Sequence, residues 1–220
     1  ALHGAGVLAI SQGDHGSARS LCEQSMMICQ ELGDMRGVAV ALDILGNVAM
    51  SQGDPRRALA MSEASLALHR QLGTTRGIAV ALNNQGTVHL GLGETERAGE
   101  LFTESLALNR DLGDKRGAAI ALQNLGDVAR RGRDYGRAMT LCEESLTLTR
   151  ELGDTWGSAA TLQTLGEVAC DLGDASRAVE LYRECLTLRE ELGDKSGTAV
   201  LRTALEKLAR DRDVVGSGRL

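Results

Sequence analysis

Apolar residues recur at spacings of three and four along this chain, in runs punctuated by glycine followed by a capping residue. In residues 31–70, Val38, Ala41, Leu42, Leu45, Val48 and Ala49 make one broad face of a helix. Gly33 ends the helix before it and Asp34 caps its start. Gly53 then supplies a left-handed C-terminal position, Asp54 an N-cap and Pro55 the first helical residue. The next apolar stripe runs through Ala58, Met61, Ser65, Leu68 and Leu72, with Leu66 on its flank. These spacings predict a helix A over roughly 35–52 and a helix B over roughly 55–72. Strands require period-two alternation with β-branched or aromatic enrichment, and the chain has neither. The fold class is all-α.

The same unit returns every 40 residues. Gln30-Glu31-Leu32-Gly33-Asp34 is echoed at Gln71-Leu72-Gly73, Asp111-Leu112-Gly113-Asp114 and Glu151-Leu152-Gly153-Asp154. A period of this length marks an array in which each unit packs on its neighbours. Residues 1–220 therefore read as one array: a partial repeat over 1–30, full repeats over 31–70, 71–110, 111–150 and 151–190, and a terminal helix with a tail over 191–220. In the last segment a helix A is expected over about 195–212, ending before Val214-Val215-Gly216-Ser217-Gly218.

Glycine inside a helix costs about 1 kcal/mol relative to alanine. Yet Gly37, Gly77, Gly117, Gly157 and Gly197 recur in register, as do Gly6, Gly46, Gly86, Gly126 and Gly166. That register predicts a crossing helix backbone too close to admit a Cβ. Arg57, Arg97, Arg137 and Arg177 follow the helix B caps Asp54, Glu94, Asp134 and Asp174 by three residues. An arginine there opposes the helix dipole, so pairing with the acidic cap is the expected compensation.

Composition narrows the function. Aromatics are only 2%, so the core is built from Leu, Ala, Val and Gly. A net charge of −6 argues against a phosphate-binding surface, and so against nucleic-acid contact. No apolar run is long enough to cross a membrane, and no signal or lipidation motif is present, which points to a cytoplasmic location. Cys22, Cys29, Cys142, Cys170 and Cys185 lack metal or redox spacing, and Cys22 and Cys142 share a column with Ser62, Phe102 and Tyr182. They read as reduced packing residues.

These residues resemble the tetratricopeptide repeat. Leu42, Leu45, Gly46 and Ala49 on helix A, with Ala58, Ser62 and Ser65 on helix B, sit at the positions of its W-x-x-L-G-x-x-Y…A…F…A pattern. Leu82, Gly86, His89, Ala98 and Phe102 match again, as do Leu122, Leu125, Gly126 and Ala138, and Leu162, Leu165, Gly166, Ala178 and Tyr182. Leucine replaces the first aromatic, alanine mostly replaces tyrosine, and serine or cysteine replaces the last alanine. The longer unit resembles the sensor arrays of LuxR/MalT-like and other STAND-type regulators, and the spindle-orientation scaffolds that carry GoLoco motifs. The resemblance implies a right-handed α-α superhelix of about eleven helices, with helix A lining an inner groove that takes a peptide or protein segment. It also implies a piece of a larger regulatory protein with its effector domain elsewhere, and an Ala-, Gly-, Arg- and Leu-rich, Lys-poor composition suggests a bacterial one.

Opposite the apolar face of helix A lies a polar stripe. It carries Arg36, Val40, Asp43, Asn47, Met50 and Ser51 in the first full unit, and Arg76, Asn83, Thr87 and Leu90 in the second. Arg116, Gln123, Asp127, Arg130 and Arg131 follow in the third, and Trp156, Gln163, Glu167, Cys170 and Asp171 in the fourth. The resemblance adds Asn84 and Asn124, which match amide positions that hold a peptide backbone in the family. Amide and carboxylate groups one turn apart offer donors and acceptors to an extended chain, although a solvated face is polar for no further reason. Trp156, the only tryptophan, suits either an anchor or an inter-helix contact. Arg116, Arg130 and Arg131 make either a basic spot for an acidic group or an ion-pair cluster with Asp127 and Asp134.

No catalytic or metal motif emerges. Gly193-Asp194-Lys195-Ser196 lacks the glycine before lysine that a P-loop needs. His3, His15, His69 and His89 are scattered, and His89 reads as a core-edge residue. The chain is expected to be no enzyme and to use no cofactor. The alternative to groove binding is homo-oligomer formation by stacking of exposed repeat ends, since the truncated terminal units lack polar caps.

Overall fold

The computed structural model describes residues 15–217, with side chains over 16–210. Among these, every regular element is an α-helix: α1 His15–Glu31, α2 Met35–Ser51, α3 Pro55–Gln71, α4 Thr75–Gly91, α5 Thr95–Asp111, α6 Lys115–Arg131, α7 Tyr135–Glu151, α8 Thr155–Asp171, α9 Ala175–Glu191 and α10 Lys195–Ser217. Ten helices are described rather than about eleven; the helix expected in the partial first repeat, with Gly6, lies outside the described residues. The two helices of the type unit start and stop within a residue of the sequence expectation. The last does not: α10 continues to Ser217, through the stretch expected to end it near 212.

The punctuation works as read. Gly33 adopts φ 67°, its N–H reaches Gln30 O, and the Asp34 N–H reaches Cys29 O, the paired bonds of a Schellman turn. Asp34 then turns and accepts from Gly37 N at 3.0 Å, so one Gly-Asp pair closes one helix and opens the next. Asp54, Asp134 and Asp174 cap the helix B starts in the same way, through the backbone N–H of Arg57, Arg137 and Arg177. The arginine side chains do not pair with these caps. Arg57 reaches back to Glu23, while Arg97 and Arg177 reach forward to Glu100 and Glu180. The cap carboxylate is already engaged by the backbone, so the guanidinium finds the next carboxylate along the surface. His89 sits half-buried with Nδ1 2.5 Å from Glu94 Oε2, at the core edge.

One turn breaks the pattern. Arg133 occupies the position of Gly53, Gly93 and Gly173 and takes φ 60°, the left-handed region that disfavours a Cβ. Arg133→Gly is expected to stabilise the chain by about 1 kcal/mol, seen as a higher thermal midpoint.

Contacts divide the chain into two compact units, one up to Gly117 and one from Ala118. In the first, α2 pairs with α3 and α4 with α5, and the pairs stack through α3 on α4 and α2 on α4. Leu66, Ala81, Leu82 and Leu101 make a core between them. In the second, α8 pairs with α9, flanked by α7 and α10, around Leu146, Leu162, Leu165, Leu181, Tyr182 and Leu201.

Helix A and helix B of each hairpin are tied by a repeated buried bond. Ser105 Oγ donates to Ala79 O at 2.8 Å, Ser145 Oγ to Ala119 O at 2.8 Å and Cys185 Sγ to Ala159 O at 3.1 Å. The serine or cysteine that departs from the family pattern is thus a cross-helix strut. The helical glycines face side chains, which corrects the expected backbone crossing. A Cβ on Gly86 would lie 2.6 Å from the Phe102 ring, and one on Gly126 or Gly166 would run into Cys142 Sγ or the Tyr182 ring. Among the described glycines of this column, Gly46, opposite the small Ser62, is the one whose nearest atom is a backbone oxygen, Ala58 O at 3.5 Å.

Candidate functional site

In the first unit the polar stripe of helix A forms on α2 and α4. Arg36, Asn47, Arg76 and Thr87 are exposed, and Asn83 and Asn84 are half-buried. Between them Val40 and Val80, equivalent residues of two successive helices A, remain 41% and 45% exposed. Arg76 Nε lies 3.2 Å from Asp114 Oδ2, and the Thr87 hydroxyl donates to its own helix at Asn83 O. Arg116 is also exposed.

Asp43 departs from the expectation. It is only 7% exposed and turns inward. Ser65 donates to its Oδ1 at 2.7 Å, Asn84 Nδ2 approaches the same oxygen at 3.5 Å, and His69 Nε2 lies 3.3 Å from Oδ2. His69 Nδ1 in turn is 2.8 Å from the Thr74 hydroxyl. Burial pushes the Asp43 carboxyl above the ordinary carboxylate range, and Ser65, His69 and Asn84 pull it back only in part. The physical reason for the inward turn is partner supply: α3 presents a hydroxyl and an imidazole where a carboxylate can reach both. Ser65, His69 and Thr74 were not in the sequence stripe. The signal that points to them is Asp43 itself, a carboxylate in a column otherwise filled by the amides Asn83, Gln123 and Gln163.

In the second unit the stripe is knitted together. Gln123 Nε2 donates to Thr164 Oγ1 at 3.1 Å, and Asn124 is half-buried. Arg130, 20% exposed, binds Asp127 at 2.9 Å, Glu167 at 3.1 Å and Asp171 at 3.1 Å, and Arg131 adds a bond to Asp127 at 3.0 Å. Gln163 bridges onward, donating to Glu167 at 3.1 Å and accepting from Arg189 at 2.8 Å, while Arg189 pairs with Asp194. Burial opposes the charged Arg130 guanidinium, but its bonds to Asp171 and Asp127 and the charge of Glu167 outweigh it and raise its pKa. Arg130 and Arg131 therefore form an ion-pair cluster in which three carboxylates face two guanidiniums, whereas Asp134, also expected there, caps α7 through Arg137 N. Trp156 is 47% exposed on the same helix as Gln163 and Glu167, which favours its surface reading.

Three of the five thiols are sealed in the core. Cys22, Cys142 and Cys185 are fully buried, and burial pushes Cys142 up to about 12. Among the described residues no group of three or more His, Cys, Asp or Glu side chains is placed to hold a metal. Nor is any helix long and apolar enough to cross a membrane.

The stacked hairpins, the glycine-capped turns and the polar helix A stripe define a helical-repeat protein. The sequence profile of the tetratricopeptide repeat matches residues 1–71, 37–111, 77–151 and 118–191, and the chain belongs to that family. No curated protein sequence matches it. Among solved structures it is similar to BtubC (BKLC) from P. vanneervenii, with 23% identity, a TM-score of 0.66, and 86% of this chain and 78% of that one covered. A putative kinesin light chain of nearly identical TPR-like repeats from Podosopora anserina gives 14% identity and a TM-score of 0.60, with 89% and 96% covered. A Rap protein complexed with competence and sporulation factor gives 16% identity and a TM-score of 0.69, with 96% of this chain and 63% of that one covered. At these identities the likeness is one of fold.

Proposed function

We propose that this chain is a protein-interaction module that holds a peptide or protein segment against its helix A faces, as the sensor or scaffold part of a larger regulatory protein. The observation that carries the reading is the first unit's α2–α4 face. Two exposed β-branched side chains, Val40 and Val80, stand at equivalent positions with Arg36, Asn47, Asn83 and Thr87 around them. Apolar contacts one repeat apart, with amides between, suit an extended segment whose side chains alternate with backbone polar groups. The Rap protein, of the same fold, is complexed with a factor. That precedent supports the reading without supplying a partner for this chain.

End-to-end stacking, the alternative, has less to support it at α10. Where the other helices A bury Leu82, Leu122 or Leu162 and Gly86, Gly126 or Gly166 against a following helix, α10 exposes Arg202 and Glu206. Arg202 is bonded to Glu190 at 2.9 Å.

The test is capture of binding partners from the source cell by the immobilised chain, with each captured protein then titrated in purified form. Val40→Asp with Val80→Asp is expected to weaken the purified complex by about tenfold or more, while circular dichroism shows an unchanged fold. Equal affinity of the two proteins would remove this face as the binding site.

A further inference from the structure

The opposite side of the second unit carries a cleft that no part of the groove reading uses. Helices α7 and α9, successive helices B, stand apart and leave a volume of about 470 Å³ whose floor is the back of α8. Leu162, Leu165, Val168 and Ala169 form that floor, and the cleft opens beside Met139 and Leu172, which are 40% and 53% exposed. The mouth is charged. Glu143, Asp174, Glu180 and Glu184 face Arg150 and Arg177, so two carboxylates are in surplus. Both guanidiniums are engaged: Arg150 pairs with Glu184 from the opposite wall, and Arg177 with Glu180 at 3.1 Å.

The equivalent cleft of the first unit provides an internal contrast. It lies between α3 and α5, is lined by the same repeat positions, and holds about 270 Å³. Gln85 replaces Leu165 in its floor, while the charges of its rim repeat those of the second cleft: Glu63, Glu94, Glu100 and Glu104 with Arg70 and Arg97, of which Arg70 pairs with Glu104 and Arg97 with Glu100. The repeat therefore makes a slot with an acidic rim between helices B, and the second unit's slot is the roomier of these two and has leucine where the first has Gln85.

We propose that the α7–α9 cleft is a docking site for a basic amphipathic helix of a partner protein, independent of the helix A groove. Apolar side chains of the ligand helix at i, i+3 and i+7 enter the slot past the exposed Met139 and Leu172 toward Leu165, as in helix-in-groove recognition. Lysine or arginine on its flanks meets Glu143 on one wall and the Arg177–Glu180 pair on the other, and the net negative charge of the rim favours positive charge there and disfavours negative. Each wall helix has 17 residues, about 25 Å at 1.5 Å per residue, which fits a ligand helix of four to five turns.

The test uses the full chain and two synthetic helical peptides of roughly that length. Both carry a leucine stripe; one has lysine on both flanks and its twin has glutamate there. Isothermal titration is expected to show the lysine peptide binding at least about tenfold more tightly than the twin. Glu143→Lys with Glu180→Lys is expected to abolish that preference. Glu63→Lys with Glu100→Lys, an equal change of net charge in the first unit, is expected to leave it intact, as is the Val40→Asp, Val80→Asp pair. All four positions of the two lysine pairs are exposed, and thermal melting checks the fold of each variant. Equal binding of the two peptides would overturn the proposal, as would equal weakening by both lysine pairs, which would reduce the effect to overall charge. Concentration-dependent dimerisation abolished by Leu172→Glu would overturn it in favour of a second copy of this chain as the occupant.

Discussion

Gly126→Leu is expected to lower the thermal midpoint by on the order of 10 °C, and Gly46→Ala to raise it slightly. The two glycines share a repeat column, yet their surroundings differ. At Gly126 the first added carbon already runs into Cys142 Sγ, and the remaining leucine atoms have to displace α7. Overpacking of this kind costs about 3 kcal/mol, and each kcal/mol moves the midpoint by about 2–4 °C in a chain of this size. At Gly46 an added Cβ meets Ala58 O at 3.5 Å and Met61 Cβ at 3.7 Å, ordinary contact distances. The methyl then contributes its helix propensity, about 0.8–1 kcal/mol. Calorimetric scans of both variants check the pair; equal shifts of the same sign would show that backbone strain and not the facing side chain governs the column.

Asp43→Ala is expected to destabilise the first unit by about 3 kcal/mol, because Ser65, His69 and Asn84 lose a shared buried acceptor. Asp43→Asn is milder and reveals the sign of the pH term. Since burial raises the folded carboxyl above its ordinary 3.8, the folded chain holds this proton to higher pH than the unfolded chain does. The contribution of Asp43 to stability is therefore fully present below the unfolded pKa and declines as pH rises through the folded one. Denaturant titrations from pH 3 upward, compared between the chain and Asp43→Asn, are expected to show that decline only where Asp43 is present. Parallel curves would mean that the pair with His69 cancels the cost of burial.

These two expectations mark the boundary between what sequence and structure supply. The helix ends were legible because they are local: Gly33 needs only its own φ, and Asp34 needs only the N–H three residues on. The glycine register was legible too, but its cause was not. A recurring absence of Cβ shows that something is close, and only the packed hairpin reveals whether it is Phe102, Cys142, Tyr182 or the Ala58 backbone. The aspartate caps Asp34, Asp54, Asp134 and Asp174 were read correctly. Glu94, one methylene longer, makes no cap bond and meets His89 instead, and the arginines pair with other carboxylates than the caps, Arg57 with Glu23 of another helix.

The candidate face divides in the same way. Arg36, Val40, Asn47, Arg76, Val80 and Thr87 are exposed because helical periodicity alone turns them away from the apolar stripe. Asp43 shares that periodicity and is buried all the same, since its fate depends on a serine and a histidine of the next helix. Arg130 and Asp127 fall on one helix at a spacing that sequence can pair, but Glu167 and Asp171 join them only through the stacking of α6 and α8.

From its residues alone the chain determined its helices, its turns and its 40-residue unit, because each follows from bonds and spacings within a few residues. Tertiary structure decided which polar groups remain available and where the surface opens. Those outcomes depend on distances between residues that lie 22 to 41 positions apart, and no local pattern sets them.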